Sequence, residues 1–405
     1  MSHPRILTVS VWLALSAVMF PYGQKKPGFK VIEEDGIPVV ISPDRPIPAE
    51  DSPKDILFEE EFRIGSAEGD PNHVFGPFIS FTVDDHAQVY VLDWSGKTVR
   101  KFSDRGDYLL SFGGPGQGPG EFSSPEEIRF LPHGQLMVFE GESQKYSCFT
   151  RDGRLVRTGR FQKLMFSPYF GLTNGHIIAV NVLHDSDKTE SVLGIYDERW
   201  DLVKVLSRGE RKADPPWPTS GDLNARARRI ADAISRVAFR PQNLVALDGS
   251  ENIHFAFTDK YEIRIMRADG RLNRIIRTEL PCLPVREKDR RAFLEKRLPE
   301  DISTWRTMDE SLRSRIKGMI KFPEKMPAFL GLIPMDDGYL LVVRSGHYGQ
   351  NALIDIFDPL GRLIIEKELP FGITAGICKG GRLYTISKDE EGNRYVQCYS
   401  YQLVH

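Results

Sequence analysis

The chain has 405 residues, with 54 Lys+Arg against 56 Asp+Glu and a formal net charge of -2, so no basic excess is available to neutralise a nucleic-acid backbone. Apolar residues make up 40% of it, too many for a disordered chain, and 35 Gly with 27 Pro fall short of a low-complexity composition. The length suits two or three average domains, or one repeat fold.

Residues 1–24 read as an export segment. Arg5 gives a positive start, and Ile6 to Phe20 form an uncharged, mostly apolar run. That run is shorter than the roughly 20 residues that span a bilayer as a helix. A secretory signal peptide fits it, although no clean small-x-small pair precedes Gln24; the alternative is a retained N-terminal anchor. Either way the chain is expected to be periplasmic, extracellular or envelope-associated, with membrane contact through this segment alone. Residues 25–56 form a linker with a short hairpin. Cys148, Cys282, Cys378 and Cys398 are too few for a disulfide scaffold, and all four are expected to be free.

From residue 57 onward the pattern repeats. Val89-Tyr90-Val91, Val99 to Phe102 and Tyr108-Leu109-Leu110 are short strands separated by polar turns. Such alternation with turns every several residues predicts an antiparallel meander. The aromatic that ends the third strand sets the period: Phe102, Phe149 and Tyr196 are about 47 residues apart, and Met266, Phe357 and Tyr399 continue the series. Four strands per unit and six third strands predict a six-bladed β-propeller over 57–405. The last unit offers only three strands, while an orphan segment, Leu57 to Ile64, precedes the first. Pairing that segment with Arg394–Tyr401 would close the ring and remove its exposed edge.

GGPGQGPGEFSSPEEI (Gly113–Ile128), preceded by VYVLD, VRKF and GDYLLSF, resembles the NHL-repeat group of six-bladed propellers. The chain is also similar to exported bacterial six-bladed propeller proteins of unassigned function, through EEDGIPVVISPDRPI (Glu33–Ile47) near its start. The resemblance covers residues 30–405 and is weaker in units three and four, where Trp200-Asp201 replaces an Asp-Gly turn. It implies a fold and an exported setting, and it carries over no active site.

No catalytic constellation emerges from spacing. The Gly-rich loop lacks the Lys-Ser/Thr and the following helix of a phosphate loop, so Phe122 reads as a packing plug between blades. His86, His133 and His176 fall in turns and read as solvated, and His254 as a core residue. Six-bladed lactonases hold calcium in the channel with oxygen ligands. Here the first strands offer Glu126, Glu127 and Asn243 but also Phe78, Phe170 and Phe329, so no cofactor is expected, with a channel calcium as the alternative.

Two stretches exceed the period, at about 211–240 and 281–327. Each lies between the fourth strand of one unit and the first of the next, and each contains helical sequence. Leu223–Ile234 has no internal Gly or Pro, and Trp305, Met308, Leu312, Ile316 and Met319 recur at helical steps. Connections of this kind share a face with the turns between second and third strands. That face would carry Asp93, Trp94, Glu140, Glu142, His184, Asp259, Arg344, His347 and Tyr348, with Glu127 and Asn243 at its channel side. The sequence therefore predicts a non-enzymatic propeller that binds a protein, peptide or glycan on a lidded face. The alternatives are a calcium- or zinc-dependent hydrolase or lyase at the channel mouth and a structural subunit of an envelope assembly.

Overall fold

Alternating apolar residues with aromatics at strand ends form six four-stranded antiparallel sheets arranged as a ring, a β-propeller. The computed structural model describes residues 28–161, 165–185, 188–211, 222–298, 305, 307–347, 350–389 and 391–405; the predicted export segment lies outside them. Blade 1 runs Ile79–Val83, Val89–Asp93, Thr98–Phe102 and Tyr108–Gly113. Its second strand is buried throughout because it is covered by a blade on either side, whereas its fourth alternates with solvent. Blades 2 to 5 span 127–160, 165–211, 243–278 and 329–369.

The residue that sets the sequence period has a structural role. In all six blades the pairing of third and fourth strands slips by one residue immediately before Phe102, Phe149, Tyr196, Met266, Phe357 or Tyr399. A bulge there sharpens the twist, and all six side chains are buried between neighbouring blades.

The ring closes as the sequence predicts. Asp55–Ile64 pairs antiparallel with Arg394–Val404, running from Val396 opposite Ile64 to Val404 opposite Asp55, and so supplies the outer strand of blade 6. The N-terminal hairpin, Lys30–Glu34 with Ile37–Ser42, lies elsewhere. It extends blade 4 to six strands by pairing Ile37–Ser42 parallel to Leu272–Thr278. Arg277 holds it through two bonds to Glu34, at 2.5 and 2.9 Å. The chain then crosses blade 5, where the Leu363 amide donates to Ser42 Oγ at 2.9 Å, before entering blade 6.

Gly113 takes φ +85, and a Cβ there would collide with the Phe122 ring, so the Gly-rich loop closes directly on its fully buried plug. Trp200 also has a positive φ, of 66, unusual for a bulky residue. Its ring meets Phe161 edge-on at 4.6 Å and borders Tyr146 and Tyr169, contacts that offset the backbone cost.

The long connections carry helices: α1 (Leu223–Ser235), α2 (Glu287–Ala292, continued as a wider turn through Arg297) and α3 (Glu310–Met319). Asp222 and Asp309 cap α1 and α3 by accepting backbone amides. The apolar stripe of the second connection is packing surface: Trp305, Leu312 and Ile316 are buried against Ala227, Ala231 and Ile234 of α1. Both insertions thus form one helical layer on one face. Cys148, Cys282, Cys378 and Cys398 are all free.

Candidate functional site

The first strand of every blade lines the ring's axis, so the channel wall is assembled from six segments far apart in sequence. These segments enclose a cavity of about 710 Å³. Its deeper wall is largely aliphatic and aromatic, including Val83, Phe170, Leu244, Leu332, Ile333 and Ile377. Its mouth is formed by the turns after the first strands, with Asp84 and Asp85, His133, Thr173, Asp248, Asp336 and Lys379 contributed by blades 1 to 6 in turn. A first strand begins at the inter-blade connection and ends at this turn. The cavity therefore opens on the face opposite the helical layer.

The mouth is electrostatically self-paired. Asp85 binds Lys379 Nζ at 2.7 Å and Arg151 Nη2 at 3.0 Å, and the bond to Lys379 is the chief reason its carboxyl sits below the usual range. These two pairs tie blade 1 to blades 6 and 2. Asp84 accepts from the amides of His86 and Gln88 and from Tyr90 Oη. Asp248 repeats the arrangement with Ser250, Asn252 and His254, which confirms His254 as a core residue. His133 and His86 are exposed, as their turn positions predict, while His176 is half-buried.

Beyond the deep wall the channel narrows at Arg129, Ala375, Gly376 and Ile377, which also line a smaller cavity of about 150 Å³ toward the helical face. Arg129 bonds Glu127 at 2.6 Å and lies over the Phe170 ring. Trp94, Glu126 and Glu127 line the small cavity. The Glu126 carboxyl is raised, mainly by burial, with Glu127 and Glu142 adding repulsion against the opposing amide of Gly141.

The residues predicted for the helical face divide into three groups. Asp93 and Glu140 are buried and committed to the fold. Asp93 accepts the amides of Gly76, Ser95 and Gly96, while Glu140 accepts from the amides of Ser123 and Ser124 and the Ser123 hydroxyl. Each thus clamps the loop entering its blade. Arg344 is likewise engaged, binding Glu366 and, at 3.6 Å, Asp355, which also accepts from Tyr261 Oη at 2.6 Å. Burial raises the Asp355 carboxyl to about 6 despite these partners.

The second group meets the channel or the helices. Trp94 stacks on Phe78 at 5.5 Å, and His347 Nδ1 joins Asp289 Oδ2 of α2 at 2.9 Å, latching the helical layer to blade 5. Glu142, Asn243 and Asp259 form the third group, exposed on the surface. His184 lies in a long hairpin, Ile177–Asp185 with Lys188–Tyr196, and Tyr348 lies outside the described residues. Of the three phenylalanines proposed for the channel, Phe170 lines it, whereas Phe329 is buried between blades 4 and 5 and Phe78 packs on Trp94.

No group of three His, Cys, Asp or Glu side chains among the described residues is placed to hold a metal. No helix among them is long and apolar enough to cross a membrane.

No protein-family model and no curated protein matches the chain. Solved structures do. A candidate exported protein from Bacteroides fragilis superposes with a TM-score of 0.52 at 9% identity, covering 91% of this chain and 100% of its own. Virginiamycin B lyase from Staphylococcus aureus gives a TM-score of 0.44 at 10% identity, over 85% of this chain and 99% of its own. A gluconolactonase from Xanthomonas campestris gives 0.42 at 12% identity, over 86% and 91%. At these identities the likeness is one of fold, and it assigns no activity.

Proposed function

We propose that the chain is an exported binding propeller of the NHL-like group that takes the apolar end of a peptide into its central channel, from the face opposite the helices. The observation that carries this reading is the cavity of about 710 Å³ walled by all six first strands. Its volume lies within the range of roughly 300–1,000 Å³ usual for ligand sites. An apolar wall below a polar mouth suits a ligand with a hydrophobic terminus and a polar main chain. It suits a glycan poorly, because each buried hydroxyl would need a partner that aliphatic side chains do not supply. The paired charges at the mouth hold three blades in register and leave a rim of both signs, which favours a ligand of mixed polarity over a strongly charged one.

The binding face differs from the one read in the sequence, and the helical layer becomes a cover over the far side of the channel. Hydrogen exchange with a peptide selected from a random nonapeptide library tests the reading. Protection is expected at 82–85, 244–249 and 373–379. Protection confined to the helical layer would refute it.

A further inference from the structure

The helical layer does not lie flush on the propeller. Between the end of α1, α2 and its continuation, and the start of blade 5 is a second cavity of about 480 Å³. Its apolar walls include Ile234, Val237, Phe293, Leu298, Met326 and Leu330. Val237 is 74% exposed and Leu330 47%, so two large apolar side chains border open space that the helices do not fill. Ordinary surface packing leaves few such residues in contact with a concave space. Leu330 also stands in the wall of the central cavity, which places the two cavities side by side.

The charged groups lining this second cavity are of one sign, beside the neutral side chains of Gln242 and Ser345. Among the described residues Arg240 and Arg297 line it, and no Asp or Glu does. Arg240 Nε donates to the Ser235 carbonyl at 3.2 Å, fixing its guanidinium at the end of α1. Ser345 lines the same cavity; it is 5% exposed, and its hydroxyl has no protein partner among the described residues. A buried hydroxyl without a partner carries an unrelieved desolvation cost, so a ligand oxygen at this position would remove a standing penalty. Guanidinium groups suit a carboxylate because their planar donors match its two oxygens.

We propose that this cavity binds a single-chain amphiphile with an anionic carboxylate head, its chain against Val237 and Leu330 and its head toward Arg240, Arg297 and Ser345. The site is distinct from the central channel and independent of the peptide-binding reading.

Decanoate is the probe, titrated calorimetrically into the full-length protein beside decyltrimethylammonium, which has the same chain and the opposite charge. Decanoate should bind at one site per chain, at least tenfold more tightly than the cation. Ala233→Trp, which fills the cavity from its exposed rim, should weaken decanoate at least tenfold, and Ser345→Val should weaken it about threefold or more. The double variant Arg240→Gln/Arg297→Gln should bring the two probes within about threefold of each other. Ala375→Trp, which obstructs the central channel, should leave decanoate binding unchanged.

Equal binding of the two probes by the native protein would overturn the proposal. So would decanoate binding that survives Ala233→Trp and is lost with Ala375→Trp, since that places the amphiphile in the channel. Phosphatidylglycerol vesicles distinguish a free amphiphile from a membrane lipid: no co-sedimentation is expected, and co-sedimentation abolished by Ala233→Trp would overturn the assignment to a single-chain ligand.

Discussion

Ile64→Ala tests ring closure. Ile64 ends the N-terminal strand of blade 6, opposite Val396, and is fully buried among Phe81, Val83 and Phe102 of blade 1 and Tyr384 and Ile386 of blade 6. Truncation removes the apolar contact between the closing strand and the next blade without touching a main-chain hydrogen bond. Ile→Ala substitutions in a close-packed core cost about 2–5 kcal/mol, according to how far the site can relax. Neighbours on two rigid sheets relax little, so about 3–4 kcal/mol is expected. Leu57→Ala, on the same strand but half-exposed, is the control and should cost about 0.5 kcal/mol or less. Urea denaturation followed by tryptophan fluorescence and circular dichroism reads both. One coincident transition with a lower midpoint and an unchanged slope is expected for Ile64→Ala. A loss below about 1 kcal/mol, or a separate early phase with the remaining blades intact, would show that the ring does not depend on its closing strand.

Other parts of the structure give further expectations. His347→Ala breaks the latch to Asp289, and a lost charge-assisted bond of about 1.5–3 kcal/mol should speed amide exchange in α1, α2 and α3 by roughly 10- to 100-fold while blade amides are unaffected. Uniform acceleration across the molecule would refute that assignment. Glu262 is held down at about 2 against its own burial by Lys260 and Arg277, so its contribution is present above the unfolded carboxylate range near pH 4.5 and is lost as pH falls toward 2. Glu262→Gln should therefore cost of order 3 kcal/mol at pH 7, with the difference from the native protein vanishing near pH 2. A difference constant across that window would contradict the pairing. Burial raises all four thiols, Cys398 to about 12, so Ellman's reagent at pH 8 should label the folded protein slowly, Cys282 first. Rapid labelling of all four without denaturant would rule this out.

The ring was legible because its signal is local. A strand pattern with an aromatic every 47 residues or so in its first three units needs no long-range information, and the same residues mark the bulges. Closure was legible from the count of strands at each end. The docking of the N-terminal hairpin on blade 4 was not, because a parallel addition to an outer edge leaves no mark on Lys30–Ser42 itself. The central cavity was not legible for a related reason. Insertions and polar turns drew attention to the helical side, whereas the cavity takes only a few residues from each of six first strands, at a spacing no local motif encodes. Asp93 and Glu140 show how a recurring carboxylate can mislead. Their equivalent positions reflect a shared duty to the loop entering each blade, and the amide-rich Gly76 and Ser123-Ser124 were the available clue.

The channel, entered from the face away from the helices, is the proposed recognition site. Ala375 stands where the large cavity narrows, so Ala375→Trp fills the channel from a position that carries no core packing. The tightest peptide selected from the random library, titrated against the native protein, Ala375→Trp and the lid variant Ala233→Trp, gives the most direct test. At least a tenfold loss of affinity is expected for Ala375→Trp and a change within twofold for Ala233→Trp. Undiminished binding by Ala375→Trp, with loss in Ala233→Trp, would return recognition to the helical face and contradict the proposal.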